Sequence, residues 1–186
     1  MKILDPKAPA INYIQDMNEP RYVAVKNMIK KYGIKQPVLV FGEPAPFESK
    51  LSQEYGIPFF YTNFDLNYKF SDLYITNIKT MFCCELIEHL LNPLWFFRQA
   101  RVLMTDETLM YLTYPLQPHA FWCDCHFHEY DKSRFLYLLR ESGLEVVDYK
   151  EYINWKAIKG IRPIIRNTPL GWLKQQIYVL KKGKLQ

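Results

Sequence analysis

The run Met81-Phe82-Cys83-Cys84 is apolar at every position, with no polar residue alternating through it. A strand with one wet face alternates, whereas a continuous apolar run belongs to a strand covered on both faces, as in a parallel sheet with helices above and below. Further strands read at 38–41, around Phe59–Thr62, at Leu109–Thr113, at Leu144–Tyr149 and at Gln176–Leu180. Helical patterns separate them. Residues 18–32 carry Asn18 as an N-cap, Pro20 in the first turn and Gly33 as a stop. Glu48 to Tyr55 reads as a second helix ending at Gly56. Pro93 opens a third, with Leu94, Phe97, Ala100 and Arg101 at helical spacing as far as Met104. Ser133 is placed to cap a fourth, Arg134–Glu141, closed by Gly143. Strands alternating with helices give an α/β three-layer sandwich around a mostly parallel sheet. Residues 63–79 show no period, and 161–170 reads as an irregular connection.

The chain has 186 residues, 49% of them hydrophobic and 16% aromatic, enough to bury the core of one domain. The pattern divides it into a helical extension over 1–36 and a main body over 37–182. A net charge of +5 suits an anionic substrate or an acidic surface. Without a dense basic stripe, nucleic-acid binding is not expected. The N-terminus Met1-Lys2-Ile3-Leu4-Asp5-Pro6 lacks the apolar core of a signal peptide, and no run has membrane-spanning length, so a cytoplasmic location is expected. The cysteines form two local pairs, Cys83 with Cys84 and Cys123 with Cys125, which would be reduced there. The stretch Cys123-Asp124-Cys125-His126-Phe127-His128 contains good zinc ligands. In an extended chain, however, its cysteines and histidines point to opposite sides, and no metal site is expected.

Four blocks, in order, carry a resemblance. They are CELIEHLLNPLWFFRQARVL (Cys84–Leu103), LMYLTYP (Leu109–Pro115), HFHEY (His126–Tyr130) and LLRESGLEVV (Leu138–Val147). Together they resemble the second half of the class I S-adenosylmethionine-dependent methyltransferases, nearest to the small-molecule, type-11-like group, over roughly 38–180. The resemblance implies a Rossmann-like, seven-stranded sheet with one antiparallel strand near its C-terminal end. It also implies S-adenosylmethionine as cofactor, and a small molecule or a glycan or lipid precursor as substrate. Gly42, Glu43, Asp65 and Glu85 would line the cofactor. His126 and His128 would face the acceptor, where an imidazole can remove a proton near neutral pH, and His126 stands closer to the strand end.

Three departures accompany the match. The first loop, usually Gly-x-Gly-x-Gly, reads Gly42, Pro44 and Pro46, and prolines that remove donors there would weaken cofactor binding. The stretch from Gly42 to Phe82 is short, so the sheet is expected to lack one strand and one helix. The ribose-binding acid has no clear occupant, with Glu54 and Asp65 both imperfect. The alternative function is a fold that has lost catalysis and serves as a binding or scaffold protein.

Overall fold

A computed structural model describes residues 2–4, 20–43, 45–62, 64–68, 70, 73, 75–115, 126–153 and 174–184. Asn18, Pro44, the connection 161–170 and the pair Cys123 and Cys125 lie outside the described residues. The strands are β1 (Lys2–Leu4), β2 (Val38–Val40), β3 (Phe59–Tyr61), β4 (Thr80–Cys84), β5 (Leu109–Pro115), β6 (Leu144–Ile153) and β7 (Lys174–Lys182). The helices are α1 (Pro20–Tyr32), α2 (Pro46–Tyr55), α3 (Pro93–Leu103) and α4 (Lys132–Glu141), with a short 3-10 turn at Ile87–His89.

The strands form one sheet in the order β1-β3-β2-β4-β5-β7-β6. β2 pairs in parallel with β3 and β4, and β4 with β5. β7 runs antiparallel between β5 and β6, as the resemblance implies. The mostly parallel, Rossmann-like sandwich expected from the sequence is what forms.

Side chains alternate across this sheet with period two, and the two sets enter separate cores. Met81 and Cys83, Met110 and Leu112, and Tyr178 and Leu180 pack with Phe96, Phe97 and Ala100 of α3 and with Phe135 and Leu139 of α4. Phe82, Tyr111, Ile177 and Val179 face the other way, onto Tyr22, Val25 and Ile29 of α1 and Phe47 and Leu51 of α2. β4 is apolar from Met81 to Cys84 because both of its faces are covered.

The shortening falls between β3 and β4. No strand or helix forms among the described residues of 62–79, and the sheet edge beyond β3 is filled instead by β1, running antiparallel with Ile3 opposite Phe60. The sequence pattern did not foresee β1. In place of a helix, Phe70 packs its ring against Phe41, Trp95 and Phe96 at centroid distances of 5.9, 5.5 and 5.6 Å.

Caps fix the helix ends. Asn92 Oδ1 accepts from Trp95 N at 3.0 Å, and Pro93 follows where its missing N–H costs nothing. α4 starts earlier than its sequence suggests. Asp131, not Ser133, is the N-cap, its Oδ1 accepting from Arg134 N (2.9 Å) while the Ser133 hydroxyl donates to the same oxygen (2.6 Å). No helix among the described residues is long and apolar enough to cross a membrane.

α1 is tied to the far side of the sheet through Asp148 of β6. Its Oδ2 accepts from Lys31 Nζ (2.8 Å) and from the Tyr32 hydroxyl (2.9 Å). These hydrogen bonds, Lys31 first, hold the Asp148 carboxyl below its ordinary range. A depressed folded-state value stabilises above the unfolded aspartate range and is lost as pH falls through the folded value. We therefore expect Asp148→Asn to lower the melting temperature by about 2–4 °C at neutral pH. The gap between variant and parent should persist through the ordinary aspartate range and close only as pH falls below it, where the parent's own depressed carboxylate protonates. Thermal melts of both proteins across that range check this.

Candidate functional site

In open α/β sheets ligands bind beyond the carboxyl ends of the strands, where neighbouring connections part to opposite faces. Here that point lies between β2, which leads into α2, and β4, which leads into the Ile87–His89 turn. A cavity of about 230 Å³ opens there, walled by Val40 and Phe41 of β2, Glu43 and Ala45 of the following loop, Phe47 and Glu48 of α2, Cys84 and Glu85 after β4, and Thr113 of β5. Tyr22 and Val25 of α1 close it. Tyr22 stacks on Phe47 with ring centroids 4.5 Å apart.

The loop after β2 turns at Gly42, whose φ of +87° suits a residue without Cβ. Its N–H donates to Thr62 Oγ1 at 2.7 Å, which ties the loop to the end of β3. Pro46 is less damaging than the sequence suggests. It stands in the first turn of α2, where a backbone N–H would have no helical partner. Beside it the buried Glu48 carboxylate accepts from Ala45 N at 3.0 Å. The sequence pattern starts this helix at Glu48, whereas it begins two residues earlier, and this places Glu48 in the first turn as a capping carboxylate.

Glu85 adopts φ +50°, in the left-handed region that side chains other than Gly, Asn and Asp rarely occupy. Its N–H donates to the Thr113 carbonyl (3.1 Å), and its Oε2 accepts from Gln175 Nε2 of β7 (2.9 Å). Strain of this kind persists only where surrounding contacts impose it, and it clusters at ligand sites. The result is a small cavity lined by three carboxylates, Glu43, Glu48 and Glu85, with aromatic faces opposite. That lining suits a cation. It does not suit a cysteine nucleophile, because burial first, and then the Glu48 charge, raises the Cys84 thiol well above its ordinary value.

The other expected residues lie apart from this cavity. Asp65 is exposed, and its Oδ1 accepts from both the backbone and side-chain nitrogens of Asn67 (2.9 Å each). Asn67 Oδ1 in turn accepts from Leu91 N at 2.6 Å. Glu54 pairs with Lys26 of α1 at 2.7 Å. His128 places Nε2 3.3 Å from the Leu91 carbonyl and stacks on Tyr130. His126 lies edge-on to His89, with ring centroids 4.7 Å apart, and together with Glu88 they form one cluster of possible metal ligands. The pairing of His126 with His89 could not be read from the sequence, because the two are separated by the whole of α3 and β5.

No protein-family model matches this sequence, and no curated protein matches it. Solved structures do. An S-adenosylmethionine-dependent methyltransferase from Mesorhizobium loti aligns with a TM-score of 0.64 at 11% identity, over 87% of this chain and 97% of the other. The fold is that of the S-adenosylmethionine-dependent methyltransferases. A 1,6-didemethyltoxoflavin-N1-methyltransferase from Burkholderia thailandensis, solved with its substrate and S-adenosylhomocysteine, aligns at 0.59 and 10% identity over 87% and 77% of the two chains. The cyclase SpnF aligns at 0.58 and 10% identity over 92% and 86%. One fold thus carries more than one activity among these neighbours, and the side chains at the switch point must decide.

The left-handed backbone at Glu85 can be tested by itself. Alanine normally tolerates an ordered backbone better than glycine. At Glu85 the order should invert, because glycine relieves about 1 kcal/mol of left-handed strain that alanine retains, while both lose the Gln175 hydrogen bond. We expect Glu85→Gly to melt about 2–4 °C above Glu85→Ala. An alanine variant as stable as the glycine variant would remove the argument for strain.

Proposed function

We propose that this chain is an S-adenosylmethionine-dependent methyltransferase of the small-molecule, type-11-like group, acting in the cytoplasm on a small molecule or a glycan or lipid precursor. The observation that carries the reading is the acidic cavity between Gly42 and Glu85. Its carboxylates and the stacked Tyr22 and Phe47 rings match the cationic methionine end of the cofactor in charge and in chemistry. Glu43 and Glu85 would hold that end of the cofactor, and Asp65, in the connection after β3, would be the acidic group available to its adenosine.

When bound, the cofactor supplies an electrophilic methyl group on a sulfonium. The protein's part is alignment, with Glu43 and Glu85 orienting the cation and Gly42 letting the chain turn beneath it. His128 is the better of the two histidines for taking the acceptor's proton. With Nε2–H donating to the Leu91 carbonyl, Nδ1 carries the basic lone pair.

A second reading, a methyltransferase-like fold kept for binding alone, is favoured by one observation. Glu54, a candidate for the ribose hydroxyls, is instead engaged with Lys26. Calorimetric titration of S-adenosylmethionine and S-adenosylhomocysteine into the purified protein separates the two. Binding with a dissociation constant on the order of 0.1 mM, about −5.5 kcal/mol, is expected, weakened roughly tenfold in Glu85→Gln. Binding of neither compound would leave the second reading standing.

The loop prolines make a further point. Because Pro46 sits where the helix needs no donor, Pro46→Ala should leave cofactor affinity within about twofold of the parent. A gain of tenfold or more would restore the view that this proline obstructs the site.

A further inference from the structure

Past Glu85 the chain makes the 3-10 turn Ile87–His89, which carries Glu88 and His89 in succession. The segment that begins at His126 is bound to the same turn by backbone. The N–H groups of Phe127 and His128 both donate to the Glu88 carbonyl, at 2.8 and 3.2 Å. The approach of His126 to His89 is therefore imposed by main-chain hydrogen bonds and does not depend on a surface side chain's chance rotamer. One carboxylate oxygen and two imidazole nitrogens from Glu88, His89 and His126 all lie within 4.8 Å of one another. His89 Nε2 and Glu88 Oε1 are 4.0 Å apart.

We infer that Glu88, His89 and His126 bind a divalent first-row transition ion. The ligand set selects the ion class. Two imidazoles and one carboxylate suit zinc, cobalt, iron or manganese, whereas magnesium and calcium favour oxygen ligands. Three protein ligands also leave coordination positions open for water or a substrate atom. In a four-coordinate site with bonds of about 2.0–2.1 Å the ligand atoms stand roughly 3.3 Å apart, so on binding the 4.0 Å pair closes by about 0.7 Å and no pair by more than about 1.5 Å. The side chains divide that work sensibly. Glu88, at 3% exposure, is held by the core, while the His89 side chain, at 36%, is open enough to rotate onto the ion. The inferred ligand set does not include Cys123 or Cys125, which lie outside the described residues.

The site is independent of cofactor binding, so its test uses the ion alone. Cobalt(II) and zinc(II) are titrated into the chelator-treated full chain, followed by calorimetry and by the visible d–d absorption of cobalt. One equivalent should bind with a dissociation constant of about 10 µM or tighter, with no competition from millimolar magnesium. His89→Asn and His126→Asn should each weaken binding roughly tenfold or more. The His89 ring is partly exposed and its replacement is expected to fold, which far-ultraviolet circular dichroism verifies. The proposal is overturned by the absence of a stoichiometric cobalt site, by an unchanged affinity in His89→Asn, or by a cobalt–thiolate charge-transfer band, which would make cysteine the ligand. A plain hydrogen-bonded cluster gives the first of these results.

Discussion

The structure hangs on β4 being buried on both faces. A strand so placed cannot shift sideways without exposing one core or the other, so the position of its carboxyl end is fixed to within the packing tolerance of the interior. Everything of chemical interest follows within a few residues of that end. Cys84 and Glu85 complete the acidic cavity toward α1 and α2, while Glu88 and His89 turn toward α3 and meet His126. Between the two groups the chain passes through Glu85, whose backbone is left-handed at φ +50°.

The fold was largely legible because its signals are local. A continuous apolar run marks a doubly covered strand, and a proline or glycine marks where a helix begins or ends. Less legible were a distant pairing and the exact starts of two helices. The strand Lys2–Leu4 has no periodicity to declare itself, and it pairs with the edge that β3 offers. α2 starts two residues before its apparent beginning, which places Pro46 in its first turn and makes Glu48 a buried carboxylate. The start of α4 moved by a similar amount because Asp131 competes with Ser133 for the cap.

The site shows the same division. Gly42, Glu43 and Glu85 were reachable from a pattern of short blocks, since each sits at the end of a strand that could itself be recognised. Glu88 and His89 were visible as residues, but a helix-terminal role explained them adequately. Their association with His126 depends on two backbone hydrogen bonds to one carbonyl, and no spacing rule encodes a contact of that kind. Asp65 shows the converse. A residue in a suggestive stretch has its oxygen occupied by its own turn, through Asn67.

The place of β7 has a consequence for the order in which the molecule can be made. It is the last of the described strands in sequence, yet it lies between β5 and β6, and α1 from the first part of the chain packs over it. A ribosome delivers the N-terminal helix long before the surface it needs. Until residues 174–182 arrive, Tyr111 and Tyr114 lack their β7 neighbours, and Tyr22 has no fixed seat from which to close the acidic cavity. Contacts of such long sequence separation are formed late and slowly. The walls of the acidic cavity therefore come together only after β7 has been made, and until then a nascent molecule keeps much of its core open.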